Sequence, residues 1–171
     1  MKKLMLALVT ILVMVIQACG TKSDLTLCCS ENNDLYKTLL ENNINCNRYD
    51  TPEKAIDMAK KGTGVMILAE GYPQQTTTMS EALYKKAKDK KLRLYVEYPS
   101  HLPDMEVGEI NGTNWERAVI SSDKFAPRLE KHRILAIHDC RFVTIEAENP
   151  DIVVARIAGF DTAVYGLPDE T

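Results

Sequence analysis

Residues 64–69 read GVMILA, a continuous apolar run without a polar residue between its members. A strand with one face in water alternates polar and apolar residues, whereas a strand covered on both faces does not. The run therefore predicts a central strand of a sheet that has other elements packed against both of its sides. This requirement constrains the fold more strongly than any other feature of the 171-residue chain.

Helical patterns alternate with short apolar runs on both sides of this strand. Further strands are predicted at 24–29, 44–49 and 92–97. A helix starts near residue 34, a second has Thr51 as its N-cap before Pro52 and closes at Gly62, and Thr78 with Glu81 forms a capping box for a third. Strands alternating with helices predict right-handed βαβ units and a parallel sheet.

The pattern changes after residue 98. Apolar runs at 115–120, 133–138, 142–147, 152–158 and 162–166 are separated mostly by short turns, which predicts hairpin-like antiparallel strands, with 133–138 buried. The predicted fold class is α/β, a three-layer sandwich. Its sheet is mainly parallel with helices on both faces, and it carries an antiparallel C-terminal extension.

The first 18 residues carry Lys2 and Lys3 ahead of a nearly unbroken apolar stretch, which predicts a secretory signal too short for a comfortable membrane span. Residues 16–20 (IQACG) resemble a bacterial lipobox, which implies that Cys19 is lipidated and begins the mature protein. The alternative is a plain cleaved signal peptide with Cys19 incidental. The predicted organisation is a signal peptide at 1–18, a lipidated tether at 19–24 and one α/β domain at 25–171.

The formal net charge is -3, and removal of two signal lysines leaves 19 basic against 24 acidic residues, a net charge of -5. An acidic domain argues against nucleic acid and anionic membrane surfaces as partners. The membrane partner is instead reached through lipid on Cys19. Surface-displayed lipoproteins of the Bacteroidota carry an acidic cluster after this cysteine, and here only Asp24 lies nearby. We therefore expect an outer-membrane lipoprotein of the cell envelope, on the periplasmic face, the alternative being the cell surface.

Candidate functional residues lie where the predicted parallel strands end, because ligands bind at the carboxyl ends of such strands. Glu70 and Glu97 are candidates for paired acid/base hydrolysis of glycosides. His138 and Cys140 are candidates for a thiol nucleophile with a base nearby. The alternatives are carboxylates that cap loops and a partly buried thiol beside a hydrogen-bonded histidine. The ligand-binding candidates are Ser30, Glu31, Tyr72 and Tyr98.

The spacing of the cysteines does not determine which of them, if any, form disulfides. Beyond Cys19, four cysteines allow three disulfide connectivities, and buried free thiols are the favoured interpretation: Cys28, Cys29, Cys46 and Cys140. No Cys/His spacing suits zinc, and no glycine-rich motif suits a phosphate. No metal or cofactor is therefore predicted.

Three segments carry a family resemblance: GVMILAEGYP, LRLYVEYP and ARIAGFDTAVYGLP. Their order resembles the class I glutamine-amidotransferase-like fold, a flavodoxin-like sandwich. The last segment is similar to ThuA-like domains, which are associated with sugar metabolism and occur at the front of exported carbohydrate-active proteins of the Bacteroidota. Amidotransferases carry a nucleophilic cysteine on a tight strand-to-helix turn, where this chain has Glu70-Gly71-Tyr72. The resemblance implies an amidotransferase-like domain without the glutaminase nucleophile.

The chain stops in a turn at residues 167–171, with no closing helix for the last predicted strands. We expect the front of a longer protein with a downstream catalytic domain, the alternative being a complete 171-residue domain. The leading functional expectation is an anchored domain that binds carbohydrate or supports a carbohydrate-active hydrolase. The alternatives are a self-contained hydrolase using the candidates above, and a non-catalytic structural or partner-recruiting lipoprotein.

Overall fold

The computed structural model describes residues 24–113 and 116–155. Cys19 and the strand predicted at 162–166 lie outside these residues. The chain divides into two compact units, one formed by residues up to 67 together with 86–95, the other by 68–85 together with 96 onward.

A four-stranded sheet has the order β2-β1-β3-β4. Its strands are β1 (Leu25–Cys28), β2 (Asn47–Tyr49), β3 (Gly64–Ile67) and β4 (Arg93–Val96). β1 pairs in parallel with both β2 and β3. The α/β prediction is confirmed at this level, and the strongest apolar run does form one of the two inner strands.

The connecting helices are α1 (Asp34–Glu41), α2 (Pro52–Met58) and α3 (Glu81–Asp89). Thr51 is the N-cap of α2 as predicted, and its hydroxyl accepts the amide hydrogen of Lys54 at 3.3 Å. The prediction that Gly62 closes this helix is wrong. The helix ends at Met58, and Gly62 adopts φ 80° in the turn before β3. No helix of the described residues is long and apolar enough to cross a membrane.

The predicted capping box at the start of α3 is also wrong. The helix begins at Glu81, and the Thr78 hydroxyl shares a hydrogen bond of 3.1 Å with the hydroxyl of Ser100 instead. The Glu81 carboxylate pairs with the His101 ring. Both side chains are therefore taken by the segment after β4, whose position relative to the helix is not encoded in the local spacing.

The core of the first unit is aliphatic and centred on β1, β3 and α2. Leu27, Ile56 and Val65 are completely buried, and Cys28 and Cys29 are buried beside them. Helix α1, by contrast, contributes no buried residue. Helix α2 therefore supplies buried side chains to this core, as Ala87 of the last helix in this unit also does.

Part of the lysine-rich stretch at 85–91 has a structural role. The Lys90 ammonium donates to the carbonyl oxygens of Ile56 and Asp57 at 2.7 and 2.8 Å, and Lys86 pairs with the Asp57 carboxylate. A cation on the last carbonyls of a helix is favourable because the C-terminus carries partial negative charge. These lysines therefore stabilise the end of α2.

The second unit contains the antiparallel strands β5 (Val107–Gly112), β6 (Arg117–Ile120), β7 (Ile134–Ala136), β8 (Arg141–Ile145) and β9 (Ile152–Ala155). The antiparallel prediction is confirmed, but the strands form two separate sheets, β5-β8 and β7-β6-β9. The expectation of sequential hairpins is wrong for β8 and β9, which follow each other in sequence and belong to different sheets. The strand predicted to be buried at 133–138 is an exposed edge strand, β7.

Replacing Thr51 by alanine removes the side chain that caps α2. We expect the free energy of unfolding to fall by about 1 kcal/mol, because the amide of Lys54 loses its acceptor. Thr38→Ala, on exposed α1, is the matched control and should be neutral or slightly stabilising, since alanine is the better helix former. Urea denaturation followed by circular dichroism measures both. An equal loss in the two variants would contradict the capping role.

Candidate functional site

The two tyrosines predicted to bind a ligand lie together in the second unit. The ring centroids of Tyr72 and Tyr98 are 5.1 Å apart, with an angle of 77° between the ring planes, an edge-to-face contact. Tyr98 is 7% exposed, whereas Tyr72 is 41% exposed. One ring is therefore a buried support, and the other is presented to solvent on top of it.

The Tyr72 hydroxyl is fixed by the backbone of Arg141 at the start of β8. It accepts the Arg141 amide hydrogen at 2.6 Å and donates to the Arg141 carbonyl oxygen at 3.3 Å. The Thr113 backbone amide donates to the Cys140 carbonyl, so the backbone groups of Cys140 point toward β5. Because this direction alternates along a strand, the backbone N–H and C=O of Arg141 point away from β5. The hydroxyl thus occupies the place that a neighbouring strand would take.

The backbone of Tyr98 has φ 50°, an uncommon left-handed conformation for a bulky residue. Its carbonyl oxygen accepts the Thr77 amide hydrogen at 2.8 Å, and its hydroxyl reaches the Pro73 carbonyl at 3.5 Å. These contacts and the ring contact with Tyr72 hold the unusual conformation. The support beneath Tyr72 is therefore itself fixed at several points.

The carboxylates proposed as an acid/base pair have different surroundings. Glu97 is partly buried, and its carboxylate accepts the amide hydrogen of Ala69 at 2.8 Å. Glu70 is exposed. The contact of Glu97 supports the alternative in which a strand-end carboxylate closes a loop. A catalytic role of this pair stays a prediction.

Cys140 is held by Thr113 at the end of β5. The buried Thr113 hydroxyl accepts the Cys140 amide hydrogen at 3.0 Å and lies 3.2 Å from both the carbonyl oxygen and the Sγ atom of Cys140. His138, the proposed base, is exposed. This geometry gives Cys140 a clear structural role, and nucleophilic chemistry there stays a prediction.

The candidates Ser30 and Glu31 lie in the other unit, after β1. Glu31 forms an ion pair at 3.2 Å with Arg48, whose guanidinium also donates to the Cys29 carbonyl at 2.8 Å and pairs with Asp50 at 2.5 Å. The hydrogen bond with Asp50 raises the pKa of Arg48. An arginine between two acids ties the ends of β1 and β2 together. Arg48 is the middle residue of β2, and the local sequence signal for this contact is Asp50, two residues further along the chain.

A third cluster surrounds His101 in the second unit. The ring pairs with the Glu81 carboxylate, and the Tyr84 hydroxyl donates to the His101 carbonyl at 2.8 Å. Burial, followed by the charge of Glu81, raises the pKa of Tyr84. Because each polar group satisfies another, the cluster anchors the segment after β4 to α3.

The four cysteines within the described ranges form no disulfide. The predicted burial holds for two of them, whereas Cys46 and Cys140 are only partly buried. Cys28 and Cys29 are buried, and burial raises the pKa of the Cys46 thiol. Within residues 24–113 and 116–155, no group of three or more His, Cys, Asp or Glu side chains is arranged to hold a metal ion.

Comparisons with family models, with curated proteins and with solved structures give no match for this chain. The resemblance to amidotransferase-like and ThuA-like domains therefore stays a prediction. Tyr72 and Tyr98 were found from their strand-end positions, whereas the partner Arg141 lies 69 residues away from Tyr72 and has no local signal.

Proposed function

We propose that this chain is a lipid-anchored, exported domain of amidotransferase-like architecture that lacks glutaminase chemistry. Its function is to bind carbohydrate on Tyr72, either as an independent binding domain or in support of a carbohydrate-active hydrolase. The observation that carries the proposal is one tyrosine ring, exposed to solvent and fixed at both ends.

A fixed aromatic ring suits a sugar for two physical reasons. The C–H face of a pyranose is apolar and packs on an aromatic face, which supplies a large contact area. Binding also costs less entropy when the side chain is already immobilised. Tyr72 meets both conditions, since its ring is in edge-to-face contact with Tyr98, is 41% exposed, and carries a hydroxyl that is bound to the Arg141 backbone.

Exposed polar residues close to Tyr72 in the chain are available for the hydrogen bonds that orient a sugar. Glu70, Gln74 and Gln75 are exposed neighbours of Tyr72 in the chain, and Arg141 is exposed at the other end of the hydroxyl contact. A few polar groups around an apolar surface are typical of small-molecule sites. Acceptors and donors are both present, as a ligand with many hydroxyl groups requires.

The finer architecture in this proposal is a three-layer sandwich with helices on both faces of the parallel sheet. Its support is the strand order β2-β1-β3, because the chain moves from β1 to β2 in one direction and from β2 to β3 in the other. Such connections are right-handed in nearly all proteins, and two right-handed crossovers in opposite directions would put α1 and α2 on opposite faces. This order is also the one that creates a ligand-binding crevice in open α/β sheets.

Screening the full chain on an array of neutral and acidic glycans tests the binding function, and calorimetry with the best oligosaccharide quantifies it. Tyr72→Leu should weaken binding about tenfold or more through loss of stacking, a loss above about 1.4 kcal/mol. Tyr72→Phe keeps the ring and should lose less.

The control for this experiment is Tyr95→Leu, which removes another half-exposed tyrosine ring. It should leave the affinity unchanged. Absence of binding to every glycan, or equal affinity of wild type and Tyr72→Leu, would contradict carbohydrate binding on Tyr72.

The anchor is supported by the sequence at residues 1–20. Expressed in a bacterium with two membranes, the wild-type protein should carry acyl chains by mass spectrometry and sediment with membranes. Cys19→Ala should lack the acyl mass and leave the membrane fraction, whereas Cys46→Ala should behave as wild type. Unchanged mass and fractionation of Cys19→Ala would contradict lipidation.

A further inference from the structure

A groove of about 680 Å³ lies in the second unit and is bordered by two strand edges. It is lined by residues 142–147, which include most of β8, by residues 152–154 of β9, and by Glu106, Gly108 and Pro150. We call this the edge groove. Most of its lining is aliphatic or aromatic, so filling it would remove apolar surface from water.

The edge groove runs along the side of β8. Successive side chains of a strand point to opposite faces, so a cavity touched by six consecutive residues lies beside the strand. In the regular register, the backbone N–H and C=O groups of Arg141 and Val143 point away from β5. Those of Arg141 bind the Tyr72 hydroxyl. Those of Val143 face the edge groove.

Charge at the edge groove has one sign. Glu106 and Glu146 are the charged residues among its described lining. Both carboxylates are on exposed residues. An occupant that matches the edge groove is therefore an extended apolar segment accompanied by basic side chains.

Strand β7 of the same chain has these properties. It lies at the edge of its sheet, and Ile134 and Leu135 are 56% and 36% exposed. The exposed basic residues Lys131, His132 and Arg133 come directly before it. An exposed apolar edge strand invites pairing with another chain, and proteins commonly cover or charge such edges.

We propose that β7 of a second copy of this chain docks in the edge groove. Its free backbone edge would pair with β8 at Val143, its Ile134 and Leu135 side chains would pack on the aliphatic lining, and Arg133 would face Glu146. One contact thus covers both features that the described unit leaves open to water. If the contact is reciprocal, the product is a closed twofold dimer. The inference is independent of carbohydrate binding.

Sedimentation equilibrium of the full chain in a density-matched detergent tests the proposal. Wild type should dimerise at micromolar concentration. Arg133→Glu and Glu146→Arg should each raise the dimer dissociation constant about tenfold, because each places like charges opposite one another. The double variant restores opposite charges across the interface and should recover most of the affinity.

Matched controls separate this contact from other association. Leu135→Asp should abolish the dimer, whereas Leu40→Asp on exposed α1 and Glu41→Lys should not change it. The proposal would be overturned if the wild-type protein stayed monomeric at 100 times the micromolar range. It would also be overturned if neither charge reversal changed the dimer dissociation constant, or if the double variant dimerised no more tightly than the single variants.

Discussion

The pair of hydrogen bonds between the Tyr72 hydroxyl and the Arg141 backbone is the contact on which the functional account depends. It joins a loop that follows β3 to a strand far away in sequence. On one side it fixes the ring that is proposed to hold a sugar. On the other side it binds the backbone N–H and C=O of the first residue of β8, on the edge that does not pair with β5. The edge groove begins next to this residue.

The parallel sheet explains why polar residues gather where they do. Strand β3 carries no polar side chain along its length, and in β1 the one polar side chain, Thr26, is buried, so exposed polar groups appear where the strands end. There they are used first to join the chain to itself, as Glu97 does with the Ala69 amide and Arg48 with the Cys29 carbonyl. Tyr72 differs from these residues because its ring stays exposed after its hydroxyl is bound.

Sequence was sufficient where structure is local. The uninterrupted run at 64–69 predicted an inner strand, and Thr51 with Pro52 predicted a helix start, because burial on both faces and capping each leave a signature within a few residues. The Thr78 cap failed because Ser100 competes for the hydroxyl. The pairing of β6 with β9 was not predicted, because the two strands are separated by many residues and any antiparallel neighbour satisfies the same alternating pattern.

The candidate site shows the same division. Strand-end position was enough to select Tyr72 and Tyr98, whereas Arg141 and Thr113 became visible only through the register of β5 and β8. The central claim, that Tyr72 is anchored to the edge of β8, is tested most directly by amide hydrogen exchange at Arg141 in the folded protein. The Arg141 amide should be protected in wild type and should exchange at least about tenfold faster in Tyr72→Phe, corresponding to the loss of about 1.4 kcal/mol of local stability. Equal exchange rates in the two proteins would contradict the anchor.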